Sequence, residues 1–186
     1  AKDQLGRRLF TTHALNPDPD FRPNARQVRW LQFLKLHGLA SSLYLHEYTA
    51  NTHRCFQTSG RQLRKLFNGG LICRPPQQRE TAGADGHYHV YGLSQRGVRY
   101  RQQEGLLQPS LPLSGPWVHQ FMIASITASI HILCNRTGLR FIPGHEITDQ
   151  LAVDVPFNWN GAHHSARLIP DGLFAIEYPD GFIAYA

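Results

Sequence analysis

Residues 57–72 read QTSGRQLRKLFNGGLI. Leu63, Leu66 and Phe67 recur at helical spacing, Thr58 or Ser59 stands where an N-cap belongs, and Asn68-Gly69-Gly70 stops the helix. Arg61, Gln62, Arg64 and Lys65 are left on the outer face. A short helix of this kind matches the recognition helix of a helix-turn-helix, where Arg and Gln bond bidentately to guanine and adenine edges in the major groove. A charge run is also the ordinary dress of a solvated helix face, so the flanking segments must decide between the two.

Upstream, NARQVRWLQFLKLHG (24–38) opens on Asn24, a good N-cap, and closes on Gly38. Gln27, Trp30, Leu31 and Leu34 form its inward stripe. SSLYLHEYTANTH (41–53) follows as a short second helix capped by Ser41 or Ser42 and carrying Leu45 and Tyr48. Downstream, LICR from Leu71 is a short strand, PPQQRETAGADG (75–86) a polar wing tip, and HYHVYGL (87–93) the return strand. Ser94 caps a fourth helix. Three helices, two strands and a helix, in that order, make a winged helix-turn-helix over residues 1–107. The candidate DNA contacts are Ser59, Arg61, Gln62, Arg64 and Lys65 on the third helix, with Arg74 and Arg79 at the wing. His87 and His89 alternate along the return strand without a third ligand nearby, and His163-His164 reads as a surface loop.

Charge supports the division. Through Glu104 there are 16 Lys and Arg against 7 Asp and Glu, and from Gly105 onward 3 against 6. A basic half joined to a mildly acidic one fits a nucleic-acid module with a separate second domain. At 186 residues and 41% hydrophobic the chain has enough apolar side chains for a core, which excludes global disorder. Cys55, Cys73 and Cys134 form no CxxC pair and read as buried reduced thiols of a cytoplasmic protein. AKDQLGRRLF lacks the apolar core of a signal peptide, and no apolar run is taken to approach the ~18 residues of a membrane span.

QPSLPLSGP (108–116), with three prolines in nine residues, is the natural linker. The second domain, 117–186, is expected to be smaller and α/β. Its long opening helix has Met122, Ile126, Ile130 and Leu133 in one stripe and reads as largely buried. LRFIPGHEI is a strand and turn ahead of Glu146, and residues 148–166 show weak periodicity. Pro179-Asp180-Gly181 reads as a tight turn between two strands, while Pro170-Asp171-Gly172 is either a turn or the first half of a metal site.

The YGLSQRG return, the Pro-rich step, the helix opening near His119, Glu146 after a strand, and Pro170-Asp171-Gly172 before a hairpin together resemble the replication-relaxation family of plasmids and mobile elements. The resemblance runs from about Asn24 onward and rests on the order of its motifs. It implies a second domain similar to the PD-(D/E)xK nuclease fold, with Asp171 as the Pro-Asp acid, Glu146 as the earlier acid and Mg²⁺ as the metal between them. Such a site also needs an acid two residues before a Lys on the next strand. Here Glu177 is followed by Tyr178-Pro179, and the lysines are Lys2, Lys35 and Lys65. The domain therefore reads as truncated or degenerate, and the chain is not expected to be an enzyme. The expected function is sequence-selective binding of double-stranded DNA, as a replication or mobilisation accessory factor. Its partners would be a second copy of itself or replication and mobilisation proteins. The alternatives are a winged-helix transcriptional regulator with a dimerisation or sensing domain, and a metal-dependent DNA nuclease.

Overall fold

The computed structural model describes residues 10–52, 54–79, 88–103, 116–148, 152–168 and 170–186, with the side chains of 79, 153 and 168 excepted. Among these the chain is mixed α+β, with six α-helices, two three-stranded antiparallel sheets and a two-stranded one. It divides into two compact units, 1–128 and 129–186. The division falls inside a helix, whereas the linker expected at 108–116 lies outside the described residues except for Pro116.

In the first unit α1 (Ala25–His37) begins with a capping box. The Asn24 side chain accepts the Gln27 N–H at 3.0 Å, and Gln27 Oε1 accepts the Asn24 N–H at 2.9 Å. Gly38 ends the helix at φ 77°, a conformation that glycine adopts without strain. Trp30, Leu31, Phe33 and Leu34 are at most 1% exposed. Burying each contributes about 1.5–3 kcal/mol. β1 (Leu39–Ser41) follows, then α2 (Ser42–Tyr48), capped by the Ser41 hydroxyl on the Tyr44 N–H.

α3 (Phe56–Asn68) starts earlier than its sequence suggests. Cys55 occupies the N-cap position, and Ser59 turns inward in the second turn. β2 (Ile72–Cys73), a 3₁₀ turn (Pro76–Arg79), β3 (Val90–Leu93) and α4 (Gln95–Gln103) complete the order. The expected wing tip and His87 lie largely outside the described residues, which end at 79 and resume at 88. β3 is central: Ala40 pairs with Tyr91 on one side and Ile72 with Leu93 on the other. β1 is an addition to the expected pattern, because three residues are too few to display an alternation.

Ser94 caps α4 by accepting the Gly97 N–H at 3.0 Å while donating to the Gly70 carbonyl. Arg96 donates to the carbonyls of Asp18, Gly69 and Pro19, tying the segment before α1 to the end of α3. The first half of α5 (Trp117–Thr137) belongs to this unit. Its Ala124 packs with Leu39 and Val90, flanked by Trp117 and Phe121.

α5 departs from expectation in two ways. Ala124, Ala128, Ile132 and Cys134 form the buried row, while Val118, Met122, Ile126 and Leu133 are each 57–60% exposed. At 21 residues the helix is also long and apolar enough to cross a membrane by length and composition, so the reading that no apolar run approaches that length does not hold.

In the second unit β4 (Arg140–Pro143), β7 (Phe174–Glu177) and β8 (Ile183–Tyr185) form a sheet in the order β4-β7-β8. α6 (Gly144–Ile147) follows β4 directly. The β7–β8 turn contains Pro179-Asp180-Gly181, as read from sequence. Gly181 adopts φ 84° and Asp180 Oδ1 accepts the Phe182 N–H at 3.1 Å. β5 (Val153–Trp159) and β6 (Ala162–Leu168) make a separate hairpin across Asn160-Gly161, both at positive φ.

His131 stacks on Phe141 with ring centroids 4.6 Å apart, and burial lowers its pKa from 6.5 to about 4. The folded protein thus holds the ring neutral where the unfolded chain would protonate it. Stability is full above pH 6.5 and lost as the pH falls from 6.5 towards 4. The loss is expected to reach about 2–3 kcal/mol. Thermal melts across this window should show that drop in the native protein and a flatter profile in His131→Phe. Identical profiles would reject the assignment.

Candidate nucleic-acid interface

The outer face of α3 is held outward by a polar network on its inner face. Ser59, 0% exposed, accepts from Arg26 Nη2 at 2.8 Å and lies 2.7 Å from His46 Nδ1. Arg26 Nε donates to Thr49 Oγ1 at 2.9 Å, and the Arg26 guanidinium lies 4.9 Å over the Trp30 ring. Burial lowers the Arg26 pKa first, and the neighbouring Arg29 charge adds to it. Gln27 Nε2 donates to the Gln62 carbonyl at 3.0 Å. Residues 23–35 positions apart in sequence thereby set the rotation of α3 about its own axis.

This arrangement sorts the candidate contacts. Arg61, Arg64 and Lys65 are exposed together, as expected. Ser59 is removed from the list, because its hydroxyl is sealed between Arg26 and His46. Gln62 is half-buried and its Oε1 faces the interior, so it does not share the row. Arg74 lies over Phe67 at 4.4 Å and Tyr91 at 5.4 Å and donates to the Tyr91 hydroxyl at 3.4 Å. It is a half-buried brace just after β2. Arg79 closes the 3₁₀ turn, and its side chain lies outside the described residues.

The structure adds residues at the start of α3 that the sequence reading passed over. Arg54, Cys55, Phe56, Gln57 and Gly60 are all exposed. Phe56 makes edge contacts with His46 at 5.3 Å and with the exposed Tyr88 at 5.4 Å. Cys55 is not a buried thiol. Hydrogen bonding from the Thr58 backbone is the main cause lowering its pKa, aided by the Thr58 side chain, the Gln57 backbone and the Arg61 charge. The signal available for these positions was the helix start itself, which lacks an N-cap side chain and so was placed too late.

The acidic residues proposed for Mg²⁺ are arranged differently. Arg140, on β4, bonds Glu146 Oε2 at 3.0 Å and Glu177 Oε2 at 2.8 Å. Its pKa is raised, chiefly by the hydrogen bond to Glu177. A guanidinium thus bridges two carboxylates at the place a metal would take on Glu146. Asp171 lies exposed ahead of β7. Among the described residues no three His, Cys, Asp or Glu side chains gather where a metal ion could be held. These side chains do not fit a Mg²⁺ site.

Comparison of the chain with protein-family models, with curated proteins and with solved structures finds no match.

Proposed function

We propose that the protein binds double-stranded DNA through the outer face of α3. One observation carries this. Arg61, Arg64 and Lys65 stand exposed on a helix that contains no acid, and among the described residues none of them forms an ion pair. Unpaired cations on one helix face are free to neutralise phosphates and to meet base edges. The succession α1-β1-α2-α3-β2-β3-α4 supports a winged helix, with β1 as the third strand of its small sheet. The buried Arg26–Ser59 contact supports α3 as a rigid reading element, since it ties that helix to α1.

By its resemblance to the replication-relaxation family, the protein acts as a cytoplasmic replication or mobilisation accessory factor of a plasmid or mobile element. Its second unit then serves assembly, with Arg140 and its two glutamates as a surface ion-pair cluster. Binding sites mapped to an origin or transfer region are the expected result, and sites at promoters would make it a transcriptional regulator.

Arg61→Ala combined with Lys65→Ala is expected to weaken duplex binding by about tenfold or more and to flatten the salt dependence by nearly two units of slope, about 0.9 per phosphate contact. Gel shifts over a series of salt concentrations measure both. Unchanged affinity and slope would overturn the assignment of α3.

A further inference from the structure

The exposed face of α3 carries a glycine that neither backbone conformation nor packing among the described residues requires. Gly60 lies in the second turn of a 13-residue helix, and a Cβ built there meets nothing within 4 Å. Its φ is not positive, so its backbone suits any residue. The contrast with nearby glycines is sharp. A Cβ at Gly69 would run into the Phe21 ring, and Gly70 has φ +71° with Pro17 against it. A glycine inside a helix costs about 0.5–1 kcal/mol relative to alanine. At Gly60 that cost is not offset by packing among the described residues.

Its neighbours on the surface indicate what offsets it. Phe56 is four residues before and Arg64 four after, so the three share one row along the helix. Phe56 is 37% exposed and Tyr88, in contact with it, 52%. Arg61 and Lys65 run alongside. The outcome is a notch with bare helix backbone as its floor, an aromatic pair at one end and a guanidinium at the other. Backbone can approach another surface closely only where no side chain intervenes. The row also occupies the first turns of the helix, the part of a recognition helix that meets base edges.

We infer that the notch at Gly60 is the close-approach point of α3 in the major groove of duplex DNA, where a base-pair edge seats against the helix backbone between the Phe56 ring and Arg64. The inference rests on the DNA-binding reading above and adds Phe56, Gly60 and Tyr88 to it. A methyl group at residue 60 would stabilise the free protein and obstruct the complex. Those opposite signs distinguish a ligand contact from a structural role.

The test uses duplexes enriched from a random-sequence library by the native full chain, and compares native protein, Gly60→Ala and Gly60→Leu on them. Both variants are expected to melt at or above the native midpoint, Gly60→Ala by about 2–4 °C. Gly60→Ala is expected to bind the enriched duplex about tenfold more weakly, and Gly60→Leu more weakly still. Native affinity in both variants would overturn the inference while leaving the DNA reading intact. A lower midpoint for Gly60→Ala would also overturn it, since the glycine would then be needed by the fold. Failure of the native protein to enrich any duplex would remove the DNA reading, and the notch with it.

Discussion

Gly97→Ala is expected to destabilise the first unit by about 3 kcal/mol, the upper end for forcing an extra carbon into a closed site. A Cβ at Gly97 would overlap the Leu71 carbonyl oxygen and lie 3.0 Å from its carbon. That neighbour is backbone and has no rotamer to change. It is also pinned on both sides, because the Leu71 N–H donates to the Leu66 carbonyl at 3.1 Å and its own carbonyl accepts the Ser94 N–H at 3.2 Å. Moving it would disturb the end of α3 and the cap of α4 together. Urea denaturation followed by circular dichroism should show a lower midpoint with an unchanged slope. A midpoint equal to the native one would show that α4 can step away from β2 at little cost.

The second large effect is expected at Trp30. Its side chain is 0% exposed, and Nε1 donates to the Leu45 carbonyl at 2.6 Å and to Thr49 Oγ1 at 3.0 Å. Trp30→Ala removes the largest buried side chain of α1, leaves the Leu45 carbonyl without this donor and takes away the ring beneath Arg26. The expected loss is about 3–5 kcal/mol. Trp30→Phe retains most of the apolar volume and loses the two hydrogen bonds, for an expected loss of about 1–3 kcal/mol. Because Arg26 also holds Ser59, the alanine variant should loosen α3 as well, visible as faster amide exchange in α3 than in α5. Losses below about 1 kcal/mol for Trp30→Ala would show that the Trp30 ring does not hold the Arg26 network in place.

Much of the first unit was legible because its signals are local. The Asn24 cap, the Gly38 stop and the Ser94 cap each involve residues three or four apart. The hairpin at Asn160-Gly161 was not read, because residues 148–166 show weak overall periodicity, and His163-His164, expected in a surface loop, are exposed residues of β6 paired with Asn158 and Phe157. α5 illustrates the limit of periodicity. With Met122, Ile126 and Leu133 on one side and Ala124, Ala128 and Ile132 on another, its pattern does not say which side is covered. Leu39 and Val90 accept the small Ala124, so the bulkier residues stay outside.

By itself the sequence determined the caps of α1, α2 and α4, the Pro179-Asp180-Gly181 turn and the cationic face of α3, because caps, turns and helical rows are set by residues within a few positions of one another. The tertiary structure alone decided that Ser59 serves Arg26, that Arg74 is spent on Phe67 and Tyr91, and that Glu146 meets Arg140 together with Glu177. Two of those pairings, Arg26–Ser59 and Arg140–Glu177, join residues 33 and 37 positions apart. A side chain able to bond DNA, a metal or a distant neighbour has the same identity in each case, and only the folded chain brings one of those partners within reach.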